Sequence, residues 1–269
     1  MSQTETNPYD QEEKLDPRQF VRNWAPMTLY TTIFTSISVV FGPVTPGRSV
    51  SRWAMQQWAI RVSASLGIQC KLEGAEILDT TPQCVFIANH CSALDILIIG
   101  SKLPRDYRWL AKAPLFRTPF LGWHLSAGGH IPVFRGNKRA RNKNIQDRVA
   151  LALEEGANIL YFPEGTRNPD GNLQPFKKGA FVTAATHNLP IVPIVLKGTG
   201  ELMKKGARHL NVDRTRLCVM SVLPPFWPSE DITDHDEQVA SLGERAREIF
   251  ETELGQKTVN SKERSEAGQ

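Results

Sequence analysis

From about residue 70 onward, short apolar runs alternate with stretches of helical periodicity, and this alternation limits the chain to an α/β architecture. Strands are predicted at 84–88, 108–111, 130–134, 159–162, 191–196 and 217–222. Helices are predicted at 93–102, 122–127, 140–155, 178–188 and 237–254. With 269 residues, 41% of them hydrophobic, the chain is long enough to bury a sizeable core, and a fibrous or wholly disordered chain is excluded. A mean hydropathy of −0.31 excludes a polytopic membrane protein.

Ahead of this pattern the texture differs. No charge occurs between Arg22 and Arg48, and residues 24–44 hold twelve apolar residues in twenty-one. That length can cross a bilayer, but Thr28, Thr31, Thr32, Thr35, Ser36 and Ser38 dilute it and Pro26, Pro43 and Pro46 bracket it. A core helix, a one-leaflet insertion and a full span all fit the composition, and monotopic or single partial insertion is expected. A second helical stretch at 50–66 carries Trp53, Met55 and Trp58 with Arg52 and Arg61, a mixture suited to a headgroup interface. The expected organisation is an acidic, disordered 1–16, a membrane-associated helical hairpin at 17–68, the main domain at 69–254 and a disordered tail at 255–269.

Charge is distributed unevenly. Residues 101–150 hold eleven bases and two acids, whereas both chain ends are acidic, so the middle should attract an anionic partner. Between Arg135 and Arg148 there is no aromatic residue, which argues against nucleic acid. Cys70, Cys84, Cys91 and Cys218 form no C-x-x-C pair, no metal site is expected, and so few thiols point to a reducing compartment. The polar, acidic start is the opposite of a signal peptide, which places the chain on the cytoplasmic side.

Three segments carry the candidate chemistry. In Asn89-His90-Cys91-Ser92-Ala93-Leu94-Asp95, a strand runs directly into a helix start, so Asn89 and His90 sit at a strand's carboxyl end. Ser92 and Asp95 have capping-box-like spacing, which could aim the Asp95 carboxylate back at the His90 ring and leave the other ring nitrogen to act as a base. About 0.25 such His-x4-Asp pairs would arise by chance, so the context matters more than the spacing. In Phe162-Pro163-Glu164-Gly165-Thr166-Arg167, a glycine, a hydroxyl and an arginine at a strand mouth can grip a phosphate. Lys177 and Lys178 follow at a helix start, where cations oppose the helix dipole unless they serve an anion. In the third segment, Gly128 to Arg135, a strand ends in an arginine and leads into Arg139, Arg141 and Lys143. No G-x-S-x-G elbow occurs, which excludes a serine hydrolase of that kind.

Together these segments resemble the glycerolipid acyltransferase family of the bacterial 1-acyl-sn-glycerol-3-phosphate acyltransferase type. Four blocks stand in family order over roughly residues 80–200: Asn89-His90 through Asp95, Gly129 through Arg135, Phe162 through Arg167, and Val192-Pro193-Ile194. The second block departs from the pattern, with Phe134 where an acidic residue is common before the arginine. The resemblance implies an α/β fold with a mixed sheet flanked by helices, preceded by a helical hairpin that docks on the membrane. It implies transfer of an acyl group from acyl-CoA or acyl-acyl carrier protein, as co-substrate with no other cofactor, to the sn-2 hydroxyl of lysophosphatidic acid. Another acceptor, such as a lyso-ornithine lipid, and a non-catalytic lipid-binding role are the alternatives. By the same resemblance His90 is the base and Asp95 orients it. Asn89, Arg135, Glu164, Gly165, Thr166 and Arg167 bind the acceptor. The local glycine itself suggests a backbone N–H near Gly165 as the oxyanion donor. Arg139, Arg141 and Lys143 are candidates for the donor, and Val192, Pro193 and Ile194 for the acyl pocket. The implied location is the cytoplasmic side of the cell inner membrane.

Overall fold

The computed structural model describes residues 17–134, 144–168, 171–203 and 212–256. The chain begins in a helical hairpin, α1 (Pro17–Phe41) and α2 (Ser49–Leu66), joined by two short 3-10 turns. Helix α1 starts seven residues before the predicted apolar run and passes through Pro26. Several of its hydroxyls are satisfied by the helix's own carbonyls. Thr31, Thr32 and Ser36 each donate to the carbonyl four residues earlier. Thr35 donates to the Phe120 carbonyl, and Trp58 of α2 donates to Thr31 Oγ1 at 2.9 Å.

The main domain follows as β1 (Gln69–Glu73), α3 (Ile77–Thr80), β2 (Val85–Ala88), α4 (Asp95–Lys102), β3 (Tyr107–Lys112), α5 (Leu121–Ala127) and β4 (Ile131–Val133). It continues as α6 (Ile145–Glu154), β5 (Asn158–Tyr161), α7 (Gly179–His187), β6 (Ile191–Lys197), β7 (Leu217–Val222) and α8 (His235–Leu254). All seven strands form one sheet in the order β1-β7-β6-β2-β5-β3-β4. Every neighbouring pair is parallel except β6 with β7, so β1 and β7 run against the other five and the sheet is mixed. Strands β2 and β5 are buried along their whole length, as central parallel strands covered on both faces must be.

Two cores lie on opposite faces of the sheet. On one, Phe34 of α1, Trp58, Val62 and Leu66 of α2 and Ile98 of α4 pack on Phe86, Val192, Ile194 and Met220. On the other, Val149 of α6, Phe181 of α7 and Leu242 and Phe250 of α8 pack on Val85, Ile87, Ile159 and Val195. The hairpin is therefore one wall of the core rather than an appendage.

The structure corrects several sequence expectations. Strand β1 and helix α3 were not foreseen: β1 shows only a weak alternation and becomes a strand by pairing with β7. The predicted helix from residue 140 is described from Ile145, and residues 140–143 lie outside the described residues. The tail does not separate at residue 255. Gly255 closes α8 in the left-handed region, and the Gln256 side chain bonds Leu173 N–H at 3.0 Å and Gly171 O at 2.6 Å. The segments 1–16 and 257–269 lie outside the described residues.

Candidate active site

Strands β2 and β5 are parallel neighbours, with Ile87 opposite Tyr161, so their carboxyl ends bring Asn89-His90 and the Phe162–Arg167 loop together. This is the edge of an open α/β sheet where the connecting loops are free to build a site. His90 Nδ1 lies 2.8 Å from Asp95 Oδ2. The same oxygen accepts the backbone N–H groups of Cys91 and Ser92, each at 2.9 Å. Main-chain nitrogens can only donate, so the carboxylate is the acceptor throughout and the imidazole proton belongs on Nδ1. Asp95 is fully buried, and its Oδ1 has no hydrogen-bond partner among the described residues. No described residue bonds His90 Nε2, and the ring is partly exposed, so Nε2 is the nitrogen left to take an external proton.

The loop after β5 holds His90 from three sides. Glu164 Oε1 accepts the His90 N–H at 2.7 Å, and the His90 carbonyl accepts the Asn168 N–H at 2.8 Å. The Phe162 ring stacks on the imidazole with centroids 4.1 Å apart. Glu164 Oε2 accepts the Gln174 N–H at 3.0 Å. Burial pushes the Glu164 carboxyl above its ordinary value, against the two backbone N–H groups that favour its charged form. Both oxygens of Glu164 therefore serve this loop, and its contact is with the His90 main chain rather than with the open cleft.

Asn89 is likewise committed. Its amide donates to the Leu196 carbonyl at 2.9 Å and its Oδ1 accepts the Leu196 N–H at 2.8 Å, tying the end of β2 to β6 as one more rung of the ladder. Gly165 occupies the left-handed region, with φ of 68°, and its N–H bonds the Phe162 carbonyl at 2.9 Å. The Gly165 N–H itself is thus engaged by its own turn. A side chain at Gly165 would place its Cβ 2.4 Å from Lys177 Nζ, so the lysine lies directly over the glycine. Gly165→Ala should cost about 1–2 kcal/mol in urea unfolding, because alanine resists that backbone conformation. An unchanged midpoint would show that the turn relaxes freely.

Thr166, Arg167, Lys177 and Lys178 are exposed at this edge. Val192 and Ile194 of β6 are fully buried in the core on the hairpin face of the sheet. Arg135, Arg139, Arg141 and Lys143 lie outside the described residues. Sequence reasoning missed Phe162 as the ring under His90, and missed Asn168 and Gln174 as backbone donors. Only the aromatic, adjacent to the Pro-Glu-Gly turn, left a visible signal.

Cys91 stands beside the dyad, yet burial, together with the Asp95 and Glu164 charges, pushes its thiol up to about 12. At pH 8 only about one molecule in 10⁴ would carry the thiolate. Cys91→Ala should therefore keep its turnover within a few-fold, and intact-mass measurement during turnover should find no acyl adduct on Cys91; an adduct there would overturn direct attack by the acceptor. Among the described residues, no three of His, Cys, Asp and Glu converge as metal ligands would. A cavity of about 320 Å³, lined by Arg52, Arg105, Asp106 and Arg108 among others, opens at the opposite end of the sheet and takes no part in this chemistry.

Comparison with known proteins bears on the family and the fold. The family model described as Acyltransferase matches residues 69–197. A chloroplastic 1-acyl-sn-glycerol-3-phosphate acyltransferase of Brassica napus is 41% identical over 141 residues, covering 52% of this chain and 40% of its own. The 1-acyl-sn-glycerol-3-phosphate acyltransferase of Limnanthes alba is 30% identical over 193 residues, covering 70% of this chain and 67% of its own. The chain spans about half the length, or less, of the first curated relatives it matches. The crystal structure of the 1-acyl-sn-glycerophosphate acyltransferase PlsC from Thermotoga maritima shares the fold, with a TM-score of 0.64 at 23% identity over 88% of this chain and 96% of that one.

Proposed function

Because the chain belongs to the 1-acyl-sn-glycerol-3-phosphate acyltransferase family, we propose that it moves a fatty acyl group from a thioester to the sn-2 hydroxyl of lysophosphatidic acid, giving phosphatidic acid. The observation that carries this is the His90–Asp95 pair, with Nδ1 held by a buried carboxylate and Nε2, at the mouth of the sheet, bonded by none of the described residues. His90 Nε2 takes the proton of the acceptor hydroxyl as its oxygen attacks the thioester carbonyl. Asp95 stabilises the imidazolium that results. The tetrahedral intermediate collapses with loss of the thiolate, which receives the proton from Nε2. A carbon–oxygen bond forms, a carbon–sulfur bond breaks, and no covalent acyl-enzyme is needed. The exposed Arg167, Lys177 and Lys178 beside the dyad supply positive charge for the acceptor phosphate.

The test is an acyl-transfer assay with a panel of lysolipids, each offered with acyl-CoA and with acyl-acyl carrier protein. Lysophosphatidic acid should be the preferred acceptor. Preference for lysolipids without a terminal phosphate monoester would overturn the acceptor, and activity with one donor alone would identify the thioester used.

We read the location as the cytoplasmic side of the inner membrane, a reading supported by the lipid substrate and by four free cysteines. Among the described residues one helix region, Phe20–Val44, is long and apolar enough to cross a bilayer, and 22% of its apolar window is buried inside the protein. Leu29, Ile33 and Val40 recur at helical spacing along α1 and are exposed, as is Val44 in the turn that follows, with Phe120 just before α5 and Trp123 within it exposed nearby. This face supports docking along one leaflet. The double variant Val40→Asp/Val44→Asp, at positions 62% and 77% exposed, should fold normally and co-sediment roughly tenfold less with anionic phospholipid vesicles. Undiminished binding would place the docking surface elsewhere.

A further inference from the structure

We infer that Cys70 and Cys218 form a peroxide-sensitive dithiol that closes to a disulfide across the β1–β7 edge of the sheet. The two residues are direct partners in the parallel pairing of β1 and β7, so their side chains leave the same face side by side. Partnered Cα atoms in neighbouring strands lie about 5 Å apart, inside the roughly 4.4–6.8 Å that a disulfide spans. The Cys218 thiol already reaches over β1 and donates to the Gln69 carbonyl at 3.2 Å. Both cysteines are free, Cys70 half-buried on the edge strand and Cys218 fully buried beneath it.

This asymmetry sets the order of the chemistry. Cys70 is the thiol that solvent can reach. The adjacent Cys218 thiol, and then the Lys102 charge, hold Cys70 below the ordinary thiol range, whereas Cys218 is pushed upward by Cys70 and by burial. The Cys70 thiolate attacks hydrogen peroxide, giving a sulfenic acid and hydroxide. Cys218 sulfur then attacks the sulfenic sulfur, and its proton leaves with the departing oxygen as water. In total two thiols and one peroxide become one disulfide and two waters. Thiol–disulfide exchange with a reductant reopens the bond, which makes the change reversible. The other two cysteines compete poorly: Cys84 is fully buried and Cys91 has its thiol pushed up to about 12. The bond would pin β1, the first strand after the hairpin, to β7, which pairs with the same β6 that holds Asn89.

The experiment uses the full chain, reduced and then treated with stoichiometric hydrogen peroxide. A mass loss of about 2 Da is expected, with one cross-linked peptide containing Cys70 and Cys218 that dithiothreitol separates, while Cys84 and Cys91 remain alkylatable. Phenylarsine oxide, which needs two adjacent thiols, should bind the reduced protein and fail to bind Cys70→Ser, a half-exposed substitution that leaves the core intact. Recovery of both thiols in alkylated form after peroxide, a cross-link through Cys84 or Cys91, or arsenical binding that survives in Cys70→Ser would each overturn the assignment.

Discussion

Alanine in place of His90 is expected to lower kcat by at least about 10²–10⁴, the usual worth of a positioned general base, while the protein stays folded. The fold should survive because the bonds that hold this segment run through the main chain. The His90 N–H meets Glu164 and the His90 carbonyl meets Asn168 whatever the side chain. What is lost is Nε2, the proposed proton acceptor, and the face that stacks on Phe162. Asp95→Asn should give a loss of similar size with KM little changed. Asparagine keeps the volume but removes the charge that stabilises the imidazolium, and its amide hydrogens would face either the Nδ1 proton and the Cys91 and Ser92 N–H groups or the unpartnered space around Oδ1. Steady-state kinetics on both variants, beside their thermal midpoints, decide the matter. Full turnover in the folded His90→Ala protein would remove His90 from the mechanism.

Glu164→Ala should destabilise the protein by about 2–5 kcal/mol, because two backbone N–H groups lose their acceptor in a buried loop. It should also cut turnover sharply, since the bond from Glu164 to the His90 main chain fixes where the imidazole stands. Glu164→Gln retains one good acceptor and should fall between the two. Urea unfolding and kinetics together separate this role from acceptor binding. A Glu164→Ala protein of wild-type stability with a raised KM and normal kcat would mean that the carboxylate touches substrate instead of the loop.

The contrast between these two residues shows what a sequence makes visible. His90 and Asp95 are five positions apart, and one strand-to-helix turn suffices to join them, so their pairing follows from local geometry. Glu164 could be recognised as a site residue by its block, but the partner of its carboxylate was hidden, because that partner lies 74 positions away. Asn89 presents the same difficulty: nothing near it announces that its amide will bond Leu196, 107 positions on. Gly165 presents a different difficulty. The glycine correctly signalled an unusual backbone, but the direction of its N–H depends on how tightly the turn closes on Phe162.

The sequence by itself determined the alternation of strands and helices, the apolar hairpin ahead of them and the His90–Asp95 spacing. These are written in periodicities and turns that span a few residues, and backbone sterics read them locally. Only the tertiary structure decided that β2 and β5 are neighbours, that β1 becomes a strand beside β7, and that the hairpin walls one core while baring a single apolar face. Strand order depends on burying both faces of one sheet at once, a condition shared by residues more than a hundred positions apart and therefore absent from any short stretch of the chain.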